Sequence, residues 1–451
     1  MTAVFDVQHF IDGRRLSPLQ WVTLGLCFLV TFVDGFDTAV VGFVAPALIK
    51  AWHVPPPDLK QLLTVGFFGL ALGSLCAGPL ADRFGRKGVL IGSLLIFGGF
   101  SLASAAADGL TALTLLRFGA GLGLGAAMPN ATTLTAEFCP AARRSLLVSL
   151  MFSGFTLGSA GGGLVAAALI PSFGWQSVFV VGGAAPLLLA FVLWAVIPES
   201  LQFLALRGDR SRHAIARILR RIDRSLAIDE ATRFVTPEPD SSDRSPVGTL
   251  FEGGLAVGTL MLWIAFFMGL IVIYLLTSWL PTLLGAVGID IGRAALIGAM
   301  FQLGGTLGAL IVSWCMDRWS AHLAVAGAFL AGAVMLLLLA REPGNLVLLG
   351  ATVFMTGFCM SGGQSSLQPL AAAFYPTRAR ATGVSWMLGI GRFGAIFGAY
   401  LGGVLLGIGW SFSLILGVLA IPPVIAGAAV VLKHRRYLLR HPLSDAPALG
   451  E

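Results

Sequence analysis

Charge is scarce in this chain. Of its 451 residues only 11% are Asp, Glu, Lys or Arg, and mean hydropathy is +0.88. An average soluble protein carries about 25% charged residues, so a soluble globular domain and a disordered chain are both excluded. Cysteine occurs five times (Cys27, Cys76, Cys139, Cys315, Cys359), each time alone in or beside an apolar run. With no CxxC, neither a disulfide framework nor a zinc site is expected, and no metal or cofactor is implied. The phosphate-binding pattern GxxxxGK[ST] is absent, which leaves ATP coupling without machinery, and neither HExxH nor GxSxG occurs. An enzyme is therefore not expected. The six histidines (9, 53, 213, 322, 434, 441) read as residues of loops or tails, so a histidine proton relay has no support. The first eighteen residues are polar and lack a short apolar core with a cleavage site, so no removable signal peptide is expected.

What the chain has in abundance is long apolar runs. Crossing a bilayer takes about 20 apolar residues in a helix, and twelve such runs can be read. They cover 19–48, 59–80, 89–107, 111–135, 146–169 and 178–197, then 256–284, 294–316, 321–339, 346–374, 383–406 and 411–432. The intervening 199–255 stretch holds nine arginines, several acids and TPEPDSSDRSP, and reads as a solvated linker. The expected organisation is a six-helix half over 1–198, a linker over 199–255, and a second half with a tail over 256–451. Of the 29 lysines and arginines, 23 fall in loops on the side of the amino terminus and four on the other side. By the positive-inside rule both termini and the linker are then cytoplasmic. The same bias accounts for the net charge of +7 without a nucleic-acid partner.

The two halves repeat at nearly constant offset. EFCPAAR after the fourth run matches AFYPTRA after the tenth, with Pro140 and Pro376 separated by 236 residues. Asp82-Arg83 recurs as Asp317-Arg318 and Pro46 as Pro281, each at an offset of 235. A parallel duplication of six helices is a transporter layout, with substrate sites near the bilayer midplane. GPLADRFGRK between the second and third runs resembles the loop signature of the major facilitator superfamily. That resemblance implies an all-α integral membrane protein of twelve helices in two pseudo-symmetric six-helix halves. It also implies a cytoplasmic gate. Gly85 makes the tight turn, Asp82 and Arg83 face neighbouring helix ends, and Arg86 pairs with an acid on the fourth helix, Glu137 being at matching depth. The second copy keeps Asp317 and Arg318 but lacks the Gly-Arg-Lys that follows, so its gate should be weaker. More narrowly, VDGFDTAVVGFVAPAL, RFGAGLGLGAAMPNATTLTAEFCP, WIAFFMGLIVIYLLTSWLP and YPTRARATGVSWMLGIGRFGAIFG resemble the aromatic acid:proton symporter family. What this implies is import of 4-hydroxybenzoate- or protocatechuate-like carboxylates by proton symport with alternating access. The partners would be the acid, the proton and the bilayer of a bacterial inner membrane, and a monomer is expected. The alternative is a carrier of another organic anion, such as benzoate, phenylpropionate, muconate or another dicarboxylate.

Independently of family, Asp34, Asp37, Arg117 and Arg392 fall well inside apolar runs. Each costs at least about 2.5–3.5 kcal/mol near the bilayer centre, so each demands a reason. Asp34 and Asp37, at i and i+3, share a helix face with Thr38 beside them. They are the candidates for proton coupling, with a structural ion pair between Asp37 and Arg117 as the plainer reading. Arg392 has no acid within the runs of its own half; it suits a carboxylate, unless it is a conformational lock. Arg117 and Arg392 are thus the candidates for holding substrate. Tyr274, with Thr277 and Ser278, and the pair Gln364 and Gln368, with Ser361, could bond a ring hydroxyl or another helix. The glycines of the fifth and eleventh runs read as close-packing surfaces.

Overall fold

The computed structural model describes residues 4–207, 211–223, 226, 233–235, 247–252, 254–341 and 344–440. A short strand β1 (Val4–Asp6) and helix α1 (Val7–Asp12) precede α2 (Pro18–Trp52), α3 (Lys60–Phe84), α4 (Arg86–Ser104), α5 (Leu110–Phe138), α6 (Arg144–Phe173) and α7 (Gln176–Val196). Then come α8 (Leu201–Leu206), α9 (Arg212–Ile222) and strand β2 (Arg233–Val235). The rest is α10 (Ala256–Ala286), α11 (Ile291–Arg318), α12 (Ala321–Leu339), α13 (Leu346–Phe374), α14 (Thr377–Gly407), α15 (Phe412–Leu419) and α16 (Ile421–Arg440). Among the described residues twelve helices are long and apolar enough to cross a membrane, and they coincide with the twelve apolar runs. Local chemistry sets their ends. Ser17 and Gln20 form a reciprocal cap at the start of α2, with Pro18 in its first turn, and His53 closes it at a φ of 52°. Four histidines expected in loops or tails belong instead to helices: His9 to α1, His213 to α9, His322 to the first turn of α12 and His434 to α16, six residues before its end.

The chain divides into two compact units: Met1–His53 with Gln61–Pro239, and Val54–Lys60 with Asp240–Glu451. In the first, α2 packs on α6 and α4 on α5 and α7; in the second, α10 packs on α14 and α12 on α13 and α16. These are the pairings a duplicated six-helix unit requires. Glycine makes the closest of them possible. A methyl group at Gly35 would run into the Phe155 carbonyl, and one at Gly158 into that of Phe32, so the backbones of α2 and α6 touch. Gly394 and Gly398 of α14 meet the carbonyls of Phe267 and Ile271 on α10 in the same way. Gly158→Leu should therefore lower the thermal unfolding midpoint of the purified protein, with an overpacking cost of at least about 1–3 kcal/mol. Gly99→Ala, at a position with open space beside it, should leave the midpoint unchanged or raise it.

Among the described residues of the 199–255 stretch, one part packs on the first unit instead of standing in solvent. The α9 sequence RHAIARILRRI places Ile215, Ile218, Leu219 and Ile222 along one face, and the first three are buried in the first unit's core with Val7 and Ile11 of α1. Strand β2 pairs in parallel with β1, and Arg14 forms an ion pair with Asp223. Asp12 accepts a 2.8 Å hydrogen bond from the Ala141 N–H, which ties the amino-terminal segment to the turn after α5. The Pro/Ser-rich TPEPDSSDRSP and the tail beyond Arg440 lie outside the described residues.

Candidate functional site

In the first unit the intramembrane charges meet. Asp37 of α2 and Arg117 of α5 are 1% and 3% exposed. Arg117 Nη1 donates to Asp37 Oδ1 at 2.9 Å, and Nη2 pairs with Asp37 Oδ2, a bidentate fork of the strong, charge-assisted kind. Ser101 of α4 completes the group: its hydroxyl donates to Asp37 Oδ1 at 2.8 Å and accepts from Arg117 Nη1 at 3.0 Å. The Phe179 ring of α7 lies 5.5 Å from the guanidinium carbon. Four helices thus converge on one ion pair. Asp34, also buried, accepts from the Thr38 hydroxyl at 3.5 Å one turn away. Ser101 was not anticipated; a serine inside an apolar run at the depth of an aspartate and an arginine is the signal that could have found it.

In the second unit Arg392 of α14 is half-buried, and its Nη1 is buried with no hydrogen-bond partner among the described residues. Arg117 Nε is likewise buried without a partner, but both terminal nitrogens of Arg117 are taken by Asp37, whereas Arg392 keeps a terminal nitrogen unengaged. Gln364 of α13 donates to the Phe266 carbonyl at 3.2 Å, while its Oε1 rests against Gly269 where a side chain would stand. It ties α13 to α10. Gln368, one turn on, is exposed. Tyr274 is half-buried on α10, and Thr277, also on α10, accepts from Gln302 Nε2 of α11 at 3.1 Å. Gln302 is a second unanticipated residue, legible in retrospect as a buried amide in an apolar helix.

The loop between α3 and α4 is built around Gly85, whose φ of 89° is left-handed and open to glycine at little cost. Glu199, just beyond α7, occupies the space a side chain at Gly85 would need. Its Oε1 accepts from the Lys87 and Ser200 N–H groups, both at 2.9 Å, placing a carboxylate at the positive end of α4. Lys87 Nζ donates to the Trp194 carbonyl at 2.8 Å, and Arg207 donates to that of Arg83 at 2.9 Å. Arg86 does not pair with Glu137. It meets Asp82 at 3.1 Å, one turn back on the neighbouring helix end, where both groups are reached without crossing to α5. Glu137 is buried at the end of α5, with Arg86, Ser200 and Gln202 facing it. Asp317 and Arg318 are exposed at the end of α11, where Arg318 lies 5.9 Å from the Trp314 ring centroid, and no equivalent clasp forms among the described residues. Outside the spans, burial pushes the Cys139 thiol up to about 11, so at neutral pH it is a packing group rather than a nucleophile.

Comparison with known proteins gives this arrangement its context. Residues 27–321 and 262–448 match the Major Facilitator Superfamily. The chain is 48% identical to the 4-hydroxybenzoate transporter PcaK of Pseudomonas putida over 432 residues, covering 95% of each chain. It is 44% identical to the gallate transporter of the same organism, covering 99% of this chain and 98% of the relative. Among solved structures, the xylose transporter XylE from E. coli superposes with a TM-score of 0.69 at 18% identity, over 91% of this chain and 95% of that one, a likeness of fold alone. Twelve apolar helices in two duplicated units, the loop built on Gly85 and these full-length matches lead to one conclusion: the chain belongs to the major facilitator superfamily, a family of membrane transporters and not of enzymes.

Proposed function

We propose that this protein imports 4-hydroxybenzoate-like aromatic carboxylates by proton symport with alternating access. The observation that carries the reading is the buried Asp37–Arg117 fork. An ion pair at this depth is costly to keep and costly to break on one side only. Protonating Asp37 cancels its charge and releases Arg117, leaving a net positive charge in the span. An anionic substrate neutralises that charge, so proton and anion bind cooperatively, and 1:1 transport of a monoanion moves no net charge. Arg392, with an unengaged Nη1, is the carboxylate anchor, and Asp34 is the second candidate proton site. The names of the full-length relatives, transporters of 4-hydroxybenzoate and of gallate, support a hydroxylated benzoate as the substrate class. The protein works as a monomer in the plasma membrane, with both termini and the Gly85 loop on the cytoplasmic side.

Purified protein in liposomes provides the test. Labelled 4-hydroxybenzoate should accumulate when the outside is acidic, and a protonophore should collapse the accumulation. Uptake that ignores the pH gradient would overturn symport, and failure of labelled 4-hydroxybenzoate, protocatechuate and gallate alike to accumulate while another organic anion does would overturn the substrate class.

A further inference from the structure

A second group of basic side chains stands apart from the fork and from Arg392. It lies where α12 begins, where α13 ends and where the apolar span that runs into α16 stops. Lys433 of α16 is 4% exposed. Its Nζ is 3.0 Å from Nε2 of His322 and 4.5 Å from the ring centroid of Phe374. The His322 and His434 rings stack with centroids 4.6 Å apart, and His434 Nδ1 is buried without a hydrogen-bond partner. An ammonium has no acceptor capacity, so it must donate to His322, which is then neutral with its proton on Nδ1. A neutral imidazole and an aromatic face orient the Lys433 charge but do not cancel it. No carboxylate among the described residues forms an ion pair with Lys433 or either histidine; Asp317, five positions before His322, is at the exposed end of α11. Ser320 makes no side-chain cap, so the first-turn amides of α12 add positive potential at the same place. Arg435 is exposed one residue beyond His434, and Leu323 and Leu432 are 60% and 50% exposed alongside.

We propose that this cluster is a binding site for a phosphate ester, that of an anionic glycerophospholipid. A buried cation without a counter-charge is a deficit that an anion removes. The position at the helix ends, where the spans stop, is the level of lipid headgroups rather than of a midplane substrate, and basic pockets between helix ends bind such headgroups. The exposed leucines offer the acyl chains an apolar surface. Lys433 supplies the charge, His434 a ring nitrogen for the ester oxygens, and Arg435 a second, outer cation.

The test is native mass spectrometry of the purified full-length protein titrated with phosphatidylglycerol, with phosphatidylcholine, and with phosphatidylglycerol in the presence of inorganic phosphate. Wild type should bind phosphatidylglycerol the more tightly. Lys433→Met should weaken that binding about fivefold, the effect of one basic residue near a membrane surface, with phosphatidylcholine binding unchanged, and Lys433→Arg should restore it. His434→Leu reads the same site should Lys433→Met fail to fold. Equal binding of the two lipids, or a preference that survives both Lys433→Met and His434→Leu, overturns the proposal. So does competition by inorganic phosphate in the absence of any lipid preference, which would make the ligand a free anion.

Discussion

Asp37→Asn is expected to abolish accumulation of substrate against its gradient. The carboxylate holds both terminal nitrogens of Arg117 and the Ser101 hydroxyl. An amide keeps the shape but can neither carry the proton nor neutralise the guanidinium. Breaking one side of a buried pair costs about 3–5 kcal/mol, so the variant should also unfold at lower temperature. Those two effects separate a coupling residue from a structural one. Asp37→Asn combined with Arg117→Gln removes the uncompensated charge and should recover most of the thermal stability while still failing to accumulate substrate. If the double variant regains gradient-driven uptake along with its stability, the fork is a structural element and the coupling proton is carried elsewhere, with Asp34 the next candidate.

Arg392→Ala should remove the preference for an acid over its uncharged amide. Hydrogen bonds to a charged group contribute about 1.5–3 kcal/mol each, so loss of a two-pronged contact should weaken 4-hydroxybenzoate binding by about two to four orders of magnitude. Binding of 4-hydroxybenzamide should change little. Arg392→Lys keeps the charge but loses the planar fork, and should give an intermediate affinity. Equilibrium binding of both compounds to the purified variants is the measurement. An acid-over-amide ratio that Arg392→Ala leaves intact would transfer the anchor to Arg117, at the expense of its pairing with Asp37.

Most of the architecture was legible before any coordinates. The twelve spans follow from the cost of placing each side chain in hydrocarbon, which is summed along the chain residue by residue. The duplication was legible because offsets of 235 and 236 residues preserve proline and Asp-Arg landmarks. One described part of the linker, α9, departs from what the linker's composition suggests, for a physical reason. Nine arginines dominated that composition, while the spacing of Ile215, Ile218, Leu219 and Ile222, which buries α9 in the first unit's core, is a periodicity that composition does not register.

The candidate site was half legible. Depth alone singled out Asp34, Asp37, Arg117 and Arg392, because ionised groups in an apolar helix are expensive wherever their partners are. Partner choice was a different matter. Whether Arg117 answers Asp37, that Ser101 bridges them, that Arg86 turns to Asp82 and not Glu137, and that Glu199 caps α4 were decided by which helices pack together and at what rotation. By itself the sequence determined what must cross the membrane and which charges need an explanation, since transfer free energy is local to each residue. Only the tertiary structure decided which group supplies that explanation, since an ion pair or a hydrogen bond depends on distances between residues from four to more than a hundred positions apart.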